Sequence, residues 1–223
     1  MMFLKVGHRG AKAYEIENTL ESFQKAIELG ANAVELDVRI SKDGNLIVSH
    51  DDNLKKGYGE DIHLSEATLE ELKQATGNRI ASLDEALHFI DGKVEKILVE
   101  LKEAGYEKKV LDVIRKEKLQ DRVIVVSFHE EALAHVRKLD KKIETGLIYA
   151  KFTKPVDAAL RLNAQYLVPL YRFVHTADVE KAHKNNLKVI VWTINTKEEG
   201  RQYIAKGVDG IASDRPDIFK AIA

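Results

Sequence analysis

The chain has 223 residues, of which 44% are hydrophobic and 32% are charged, and its formal net charge is −1. This length suits one domain or at most two, with enough apolar residues for a large core. A net charge so close to zero supplies no overall basic field that would attract nucleic acid or an acidic membrane, so we expect no nucleic-acid partner. The absence of Cys excludes disulfides, thiolate nucleophiles and zinc–thiolate sites.

Short runs rich in Val and Ile recur along the chain, and several are apolar on both faces, which is typical of buried parallel strands. The predicted strands are Phe3–Val6, Ala33–Val38, Ile97–Leu101, Val123–Ser127, Glu144–Ile148, Tyr166–Val168, Val189–Thr193 and Gly210–Ala212. Between them, apolar residues recur at helical spacing. The predicted helices are Thr19–Leu29, Tyr106–Lys118, Glu130–Leu139, Pro155–Leu162, Ala177–Asn186, Lys197–Lys206 and Pro216–Ala223.

About eight strand–helix units in this order predict an α/β protein with the (β/α)8 TIM barrel fold. An open, doubly wound sheet is the alternative. That fold usually carries a Gly-x-Gly-x-x-Gly turn after its first strand, and Gly7-His8-Arg9-Gly10 does not match it.

Residues 51–90 interrupt the alternation, although Leu69–Ala75 and Leu83–Ile90 have helical patterns. We interpret Asp51–Arg79 as a small insertion after the second strand that caps one end of the barrel. It is too small for a second domain, so we expect residues 1–223 to form a single catalytic domain.

Carboxylates fall where a TIM barrel carries its reactive groups, at the carboxyl ends of strands. Glu35 and Asp37 are two residues apart on a strand, so both point to one face, and Glu100 ends the next core strand. Such a cluster is costly without a cation, and an oxygen-only site suits Mg²⁺ or Ca²⁺ rather than zinc. The alternative is an internal salt bridge between Lys102 and Glu35 or Asp37.

His8 and His50 each follow a strand-like apolar run and stand beside small or acidic residues. Their ordinary pKa near 6.5 suits a general acid and base, and metal ligation or core packing is the alternative. Arg9 offers a planar fork for phosphate oxygens and Lys102 adds a point charge. With a divalent ion, these groups describe a site for a phosphate ester.

The ordered motifs of the chain resemble those of the glycerophosphodiester phosphodiesterases. The matching segments are His8-Arg9-Gly10, Glu17-Asn18-Thr19, the block from Gly30 to Val38, Lys42-Asp43-Gly44, His50-Asp51, Glu100-Leu101-Lys102, Ser127-Phe128, Trp192-Thr193-Ile194-Asn195 and the block from Asp209 to Pro216. The resemblance covers essentially the whole chain.

This resemblance implies a metal-dependent TIM barrel that hydrolyses glycerophosphodiesters to glycerol 3-phosphate and an alcohol. It implies that Glu35, Asp37 and Glu100 ligate the metal, Mg²⁺ or Ca²⁺ with Mn²⁺ as a further option. It also implies that His8 and His50 are the acid and base. We assign His8 as the acid and His50 as the base.

Several further roles are expected around this centre. Arg9 and Lys102 bind the phosphate, and Trp192 packs on the glycerol backbone unless it is simply a core residue at a strand end. Asn18 is expected to cap the first helix, with a phosphate contact as the alternative. Asn195 and Asp214 are interpreted as loop-bracing groups. The attacking oxygen belongs either to water or to the substrate's own 2-hydroxyl, which would give a cyclic phosphate.

Three other functions are alternatives for these residues. A lysophospholipase D-type enzyme would need an apolar groove near the insertion, and Asp51–Asp61 is strongly polar. A non-catalytic barrel that only binds a phosphodiester or a metal would not need His8 and His50. An aldolase-like barrel would use Lys102 as a Schiff-base amine, but the adjacent Glu100 keeps that amine charged.

We therefore expect a small-molecule substrate as the partner. No apolar run reaches the ~18 residues of a membrane span, and Met1–Gly7 lacks the features of a signal peptide. These features predict a cytoplasmic protein without stable membrane insertion, as a monomer or small homo-oligomer.

Overall fold

The computed structural model describes residues 2–222, and within this range the chain forms a closed barrel of parallel strands surrounded by helices. Its strands are β1 (Leu4–Gly7), β2 (Ala33–Ile40), β3 (Leu46–Val48), β4 (Lys96–Leu101), β5 (Val123–Ser127), β6 (Glu144–Tyr149), β7 (Tyr166–Pro169), β8 (Lys188–Val191) and β9 (Gly210–Ser213). Eight of them run in the order β1-β9-β8-β7-β6-β5-β4-β2, and pairing of β1 with β2 closes the ring. The predicted (β/α)8 barrel is confirmed.

The strand β3 is an addition to the barrel, and it is the strand-like apolar run before His50 that the sequence indicates. It pairs antiparallel with the far end of β2, where Val38 faces Val48 and Ile40 faces Leu46. All three of its residues are buried. Because β3 runs back alongside the end of β2, it returns the chain to the carboxyl ends of the strands, where His50 lies.

The helices lie outside the barrel. They are α1 (Leu20–Glu28), α2 (Lys55–Tyr58), α3 (Leu69–Ala75), α4 (Leu83–Ile90), α5 (Glu107–Lys116), α6 (Glu130–Leu139), α7 (Pro155–Leu162), α8 (Thr176–Lys184) and α9 (Lys197–Ala205). None of the helices formed by residues 2–222 has the length and apolarity that crossing a bilayer requires. The predicted final helix Pro216–Ala223 is instead a 3₁₀ helix over Pro216–Lys220, and Ala223 lies outside the described residues.

The first helix shows how local chemistry sets the bounds of an element. The side chain of Thr19 accepts a hydrogen bond from the backbone N–H of Ser22 and so caps the amino end of α1. Phe23 and Ala26 bury the inner face. The helix ends just before Gly30, whose φ of 104° few other residues adopt.

Side chains of the barrel strands alternate between two cores. Val34 and Leu36 of β2 pack outwards into the large cluster shared with the helices. Ala33, on the same strand, belongs to a second cluster inside the barrel. Glu35 and Asp37 continue the inward row of Ala33, because strand side chains alternate with a period of two. This alternation delivers both carboxylates to the barrel interior.

Residues 51–79 contain α2, a 3₁₀ turn at Leu64–Glu66, and α3, which begins with a capping box between Thr68 and Glu71. A separate apolar cluster supports this segment. Its buried members are Ile47, Leu54, Leu64, Ala67, Leu72 and Ile80. Leu54 and Tyr58 line a small recess together with His50, so the segment lies beside the carboxyl ends of β2 and β3.

Candidate active site

A cleft of about 550 Å³ opens at the carboxyl ends of the barrel strands. Seven of the eight residues singled out from the sequence line it. They are His8, Arg9, Glu35, His50, Glu100, Lys102 and Trp192. The eighth, Asp37, is fully buried and contacts both Arg9 and Lys102. The structure therefore brings all eight residues together at one place.

The three carboxylates form one cluster. Asp37 of β2 lies opposite Glu100 in the register of the β2–β4 pair, and Glu35 lies one inward step earlier on β2. One oxygen from each of the three carboxylates lies within 4.8 Å of the others. This geometry follows from strand pairing alone, because the positions belong to adjacent parallel strands that face the barrel interior.

The electrostatics of the cluster are uneven. Burial and the charges of Asp37 and Glu100 raise the pKa of Glu35 well above its usual range. Burial, with the charge of Asp37, raises the pKa of Glu100 to about 7. Burial opposes ionisation of Asp37 as well, but the charges of Lys102 and Arg9 lower the pKa of Asp37 to about 2. The two glutamates thus resist ionisation, because their protein neighbours do not fully compensate a negative charge at these positions.

The cluster fits a divalent cation. Glu35 Oε1 is buried and has no hydrogen-bond partner among residues 2–222, although an unpartnered buried carboxylate oxygen is costly. Glu35, Asp37 and Glu100 would supply oxygen ligands, which Mg²⁺, Ca²⁺ and Mn²⁺ prefer. The alternative of an internal salt bridge is also present, because Lys102 Nζ lies 2.6 Å from Glu100 Oε1 and 3.2 Å from Asp37 Oδ1.

Arg9 is held by its backbone and by its side chain. Its backbone N–H donates to Glu35 Oε2 at 2.8 Å, while its guanidinium contacts Glu17 at 2.9 Å and Asp37 at 3.2 Å. Arg9 has a left-handed φ of 52°, a conformation that costs energy in a residue with a side chain. Gly10 follows it at φ 81°, and a Cβ there would meet Ser22 Oγ at 2.4 Å. Only glycine completes this turn.

His8 is oriented by a carboxylate from the other end of the chain. Its Nδ1 lies 2.7 Å from Asp214 Oδ1, and Asn195 Nδ2 donates to Asp214 Oδ2 at 3.0 Å. Burial works against ionisation of Asp214, but the hydrogen bond and charge of His8 lower the pKa of Asp214 to about 2. A carboxylate on Nδ1 leaves Nε2 as the second functional nitrogen of the ring.

His50 has a similar partner from its own loop. Its Nδ1 lies 2.7 Å from Asp51 Oδ1, and its backbone carbonyl accepts a hydrogen bond from Arg39 Nε at 2.8 Å. Burial lowers the pKa of His50, while the charge of Asp37 and the hydrogen bond to Asp51 oppose that shift. Both histidines therefore line the same cleft, and each imidazole ring is held in place by a carboxylate.

The other side of the cleft is apolar. Trp192 packs against the cluster inside the barrel and donates its indole N–H to the carbonyl of Val168 at 2.8 Å. Phe128 meets it edge to face, with ring centroids 5.7 Å apart. Trp192 is therefore both a core residue at a strand end and a wall of the cleft.

Two interpretations from the sequence need correction. Thr19, and not Asn18, caps α1. Asn18 instead donates to Asp37 Oδ2 at 2.8 Å and accepts from the Asp37 backbone N–H at 3.2 Å. Asp214 and Asn195 do more than brace a loop, because they hold His8. The sequence patterns did not predict that Asp51 is the partner of His50. Its position directly after that histidine could have indicated the pair.

Known proteins resemble this chain along almost its whole length. The model of the Glycerophosphoryl diester phosphodiesterase family matches residues 8–218. A protein of Caldanaerobacter subterraneus subsp. tengcongensis named glycerophosphodiester phosphodiesterase is 34% identical, over 97% of this chain and 96% of its own. The solved structure of a glycerophosphodiester phosphodiesterase from Thermotoga maritima is 33% identical with a TM-score of 0.86, covering 100% of both chains.

A second solved structure shows a related phosphodiesterase with its product. The enzyme from Oleispira antarctica, in complex with sn-glycerol-3-phosphate, is 26% identical with a TM-score of 0.89, over 97% of this chain and 95% of its own. The family match spans nearly the whole barrel and includes every candidate site residue. This chain therefore belongs to the glycerophosphoryl diester phosphodiesterase family.

Proposed function

We propose that this protein hydrolyses glycerophosphodiesters to glycerol 3-phosphate and an alcohol, with the barrel and residues 51–79 acting as one catalytic domain. One observation carries the proposal: two carboxylate-oriented histidines, His8 and His50, line the same cleft as a buried carboxylate cluster that fits a divalent cation. Proteins that resemble this chain are named for that reaction, and the Oleispira antarctica enzyme was solved with sn-glycerol-3-phosphate.

The phosphodiester binds against positive charge. Arg9 and Lys102 both line the cleft, and each is already held by carboxylates beneath it. Such preorganised cations stabilise the charge that grows on the non-bridging oxygens in the transition state. Glu35, Asp37 and Glu100 would hold Mg²⁺, Ca²⁺ or Mn²⁺, which would supply Lewis-acid stabilisation of the phosphate.

The two histidines move the protons. His50 takes the proton of the attacking hydroxyl as its oxygen forms a bond to phosphorus, and His8 gives a proton to the alkoxide as the bond to the alcohol breaks. Asp51 and Asp214 hold the rings and stabilise their charged forms. Trp192 and the apolar wall accept the carbon skeleton of glycerol.

The attacking oxygen is that of water or of the substrate's 2-hydroxyl. The second route passes through a cyclic glycerol phosphate, which water then opens. Quenched reactions analysed by ³¹P NMR distinguish the routes, because only the second accumulates a cyclic diester.

The proposal is tested by measuring glycerol 3-phosphate released from glycerophosphocholine. We expect release by the native protein and none by a variant with both His8→Ala and His50→Ala. A surface variant, His88→Ala, is the control because His88 is exposed and distant from the cleft. Release by the double variant at the rate of the native protein would contradict the proposal.

We also propose that the enzyme is cytoplasmic and is a monomer or small homo-oligomer. Cell fractionation tests the location, and light scattering tests the oligomeric state.

A further inference from the structure

The exposed phenylalanines of this protein all lie on one side of the barrel mouth. Among the phenylalanines of residues 2–222, only Phe128, Phe152 and Phe173 are exposed, at 44%, 42% and 47%. They follow β5, β6 and β7, which are consecutive neighbours in the barrel. We call these three residues the aromatic rim. Exposing three large apolar rings on adjacent loops is unfavourable unless something covers them.

Two of the three loops that carry the rim, those of Phe152 and Phe173, are also basic. Lys151, Lys154 and Arg172 are exposed, and the segments 149–156 and 170–175 contain no Asp or Glu. None of these three cations forms an ion pair with another residue in the range 2–222. Acids flank these two segments, because Asp157 and Asp178 lie in the first turns of α7 and α8, and Asp178 lines the same groove as Phe152 and Phe173. Glu130 and Glu131 follow Phe128 in the first turn of α6. The local positive charge of the rim therefore belongs to the two loops after β6 and β7.

One member of the rim, Phe128, belongs to the catalytic cleft. Phe128 lines the cleft and contacts Trp192 edge to face. Phe152 and Phe173 line a neighbouring groove whose other walls include Tyr149 and Val174. Apolar rings on neighbouring loops therefore line both the cleft and the adjacent groove. These loops lie on the side of the mouth away from the polar segment 51–61, whose polarity argued against a lipid-facing surface in the sequence.

We propose that the aromatic rim docks on an anionic lipid surface, with the cleft opening towards the headgroups. Phenylalanine side chains enter the apolar part of the interface while lysine and arginine are attracted to anionic headgroups, and this surface offers both together. The docking itself is independent of catalysis. Its consequence, that the enzyme acts on phosphodiesters carried at a lipid surface, rests on the proposed function.

Charge favours a lipid surface over a second copy of the chain. A symmetric dimer through the rim would place Lys151, Lys154 and Arg172 of one copy against the same cations of its partner. The exposed cations of the rim loops would then repel one another. An anionic lipid surface meets both the charge and the apolar rings.

The experiment measures sedimentation of the protein with vesicles of phosphatidylcholine alone or mixed with phosphatidylglycerol. We expect binding to the anionic vesicles that weakens at high salt. A variant with Phe152→Ser and Phe173→Ser, and another with Lys151→Glu and Lys154→Glu, should each bind at least about tenfold more weakly.

Matched controls come from the opposite end of the barrel. Leu139 is 46% exposed, and Lys141 and Lys142 follow it in the loop before β6. Leu139→Ser, and a variant with Lys141→Glu and Lys142→Glu, should bind like the native protein. All variants should hydrolyse a water-soluble glycerophosphodiester normally, because none of the changed residues lines the cleft.

The outcomes separate the two proposals. Vesicle binding without hydrolysis would support docking and reject the proposed function. Failure of the native protein to bind anionic vesicles would overturn docking. An equal loss of vesicle binding in the rim variants and in the control variants at the opposite end of the barrel would overturn it as well. A concentration-dependent dimer that the Phe152→Ser, Phe173→Ser variant abolishes, without vesicle binding, would also overturn it and identify the rim as a contact between copies.

Discussion

His8 and Asp214 are 206 residues apart in the sequence, yet the ring Nδ1 of one lies 2.7 Å from a carboxylate oxygen of the other. Closure of the barrel produces this contact. β1 and β9 are parallel neighbours in which Gly7 is paired with Ser213, so the residues that follow both strands emerge side by side. The contact makes Asp214 the positioning residue of His8.

Asp214→Asn should therefore impair the reaction through His8. Asparagine keeps the shape of the side chain but removes the charge that stabilises protonated His8. We expect kcat to fall by about 10- to 100-fold, with a change in the pH profile of kcat. Asp209→Asn is the control, because it alters a comparable pair with His183 at the other end of the barrel. Equal loss in both variants would show a structural effect only.

The assignment of acid and base can be tested with the leaving group. His8→Ala and His50→Ala should each lower kcat on glycerophosphocholine by about 10²- to 10⁴-fold. A glycerophosphodiester with a p-nitrophenol leaving group does not need a proton, so it should largely restore His8→Ala and not His50→Ala. The reverse pattern would exchange the two roles, and circular dichroism would check that both variants remain folded.

The pH dependence of the rate should report His50. Because its pKa lies below the ordinary value of 6.5, we expect kcat/KM to rise with pH along a limb whose midpoint lies below that value. The hydrogen bond to Asp51 raises the pKa of His50, so Asp51→Asn should move this limb to still lower pH. A limb that stays in place, or moves upward, would argue against His50 as the base.

Neutralising Glu35 and neutralising Asp37 should have opposite effects on the stability of the fold. In protein freed of metal by a chelator, Glu35→Gln should raise the melting temperature at pH 8. The substitution removes a buried carboxyl group whose pKa is strongly raised and whose ionisation therefore costs stability. Asp37→Asn should destabilise the fold by about 3 kcal/mol, because it leaves Arg9 and Lys102 facing a neutral group. Thermal unfolding of both variants measures the difference.

The sign of the pH effect follows from the direction of the shift. A carboxyl group whose pKa is raised by folding stabilises the fold fully only below its unfolded pKa, and that contribution is lost as pH rises through the folded value. For Glu35 the advantage of Glu35→Gln should therefore shrink towards pH 4. An advantage that is constant between pH 4 and 8 would contradict the assigned cause.

The features that could be predicted from sequence are those set by local pattern. Alternation along β2 placed Glu35 and Asp37 on the inner face, and the βα rhythm placed Glu100 on a nearby strand. The partners of the histidines and of Arg9 depended on loop geometry, so the roles of Asn18 and Asp214 were misassigned. Exposure of Phe128 and Phe152 on neighbouring loops depends on barrel order, which local patterns do not contain.

Chelation is the sharpest test of the metal centre. We expect EDTA to abolish release of glycerol 3-phosphate from glycerophosphocholine and Mg²⁺, Ca²⁺ or Mn²⁺ to restore it. The same addition should fail to restore Glu35→Gln fully, because one of the three carboxylate ligands is missing. Full activity in the presence of EDTA, or full restoration of Glu35→Gln at the same ion concentration, would contradict a metal centre formed by Glu35, Asp37 and Glu100.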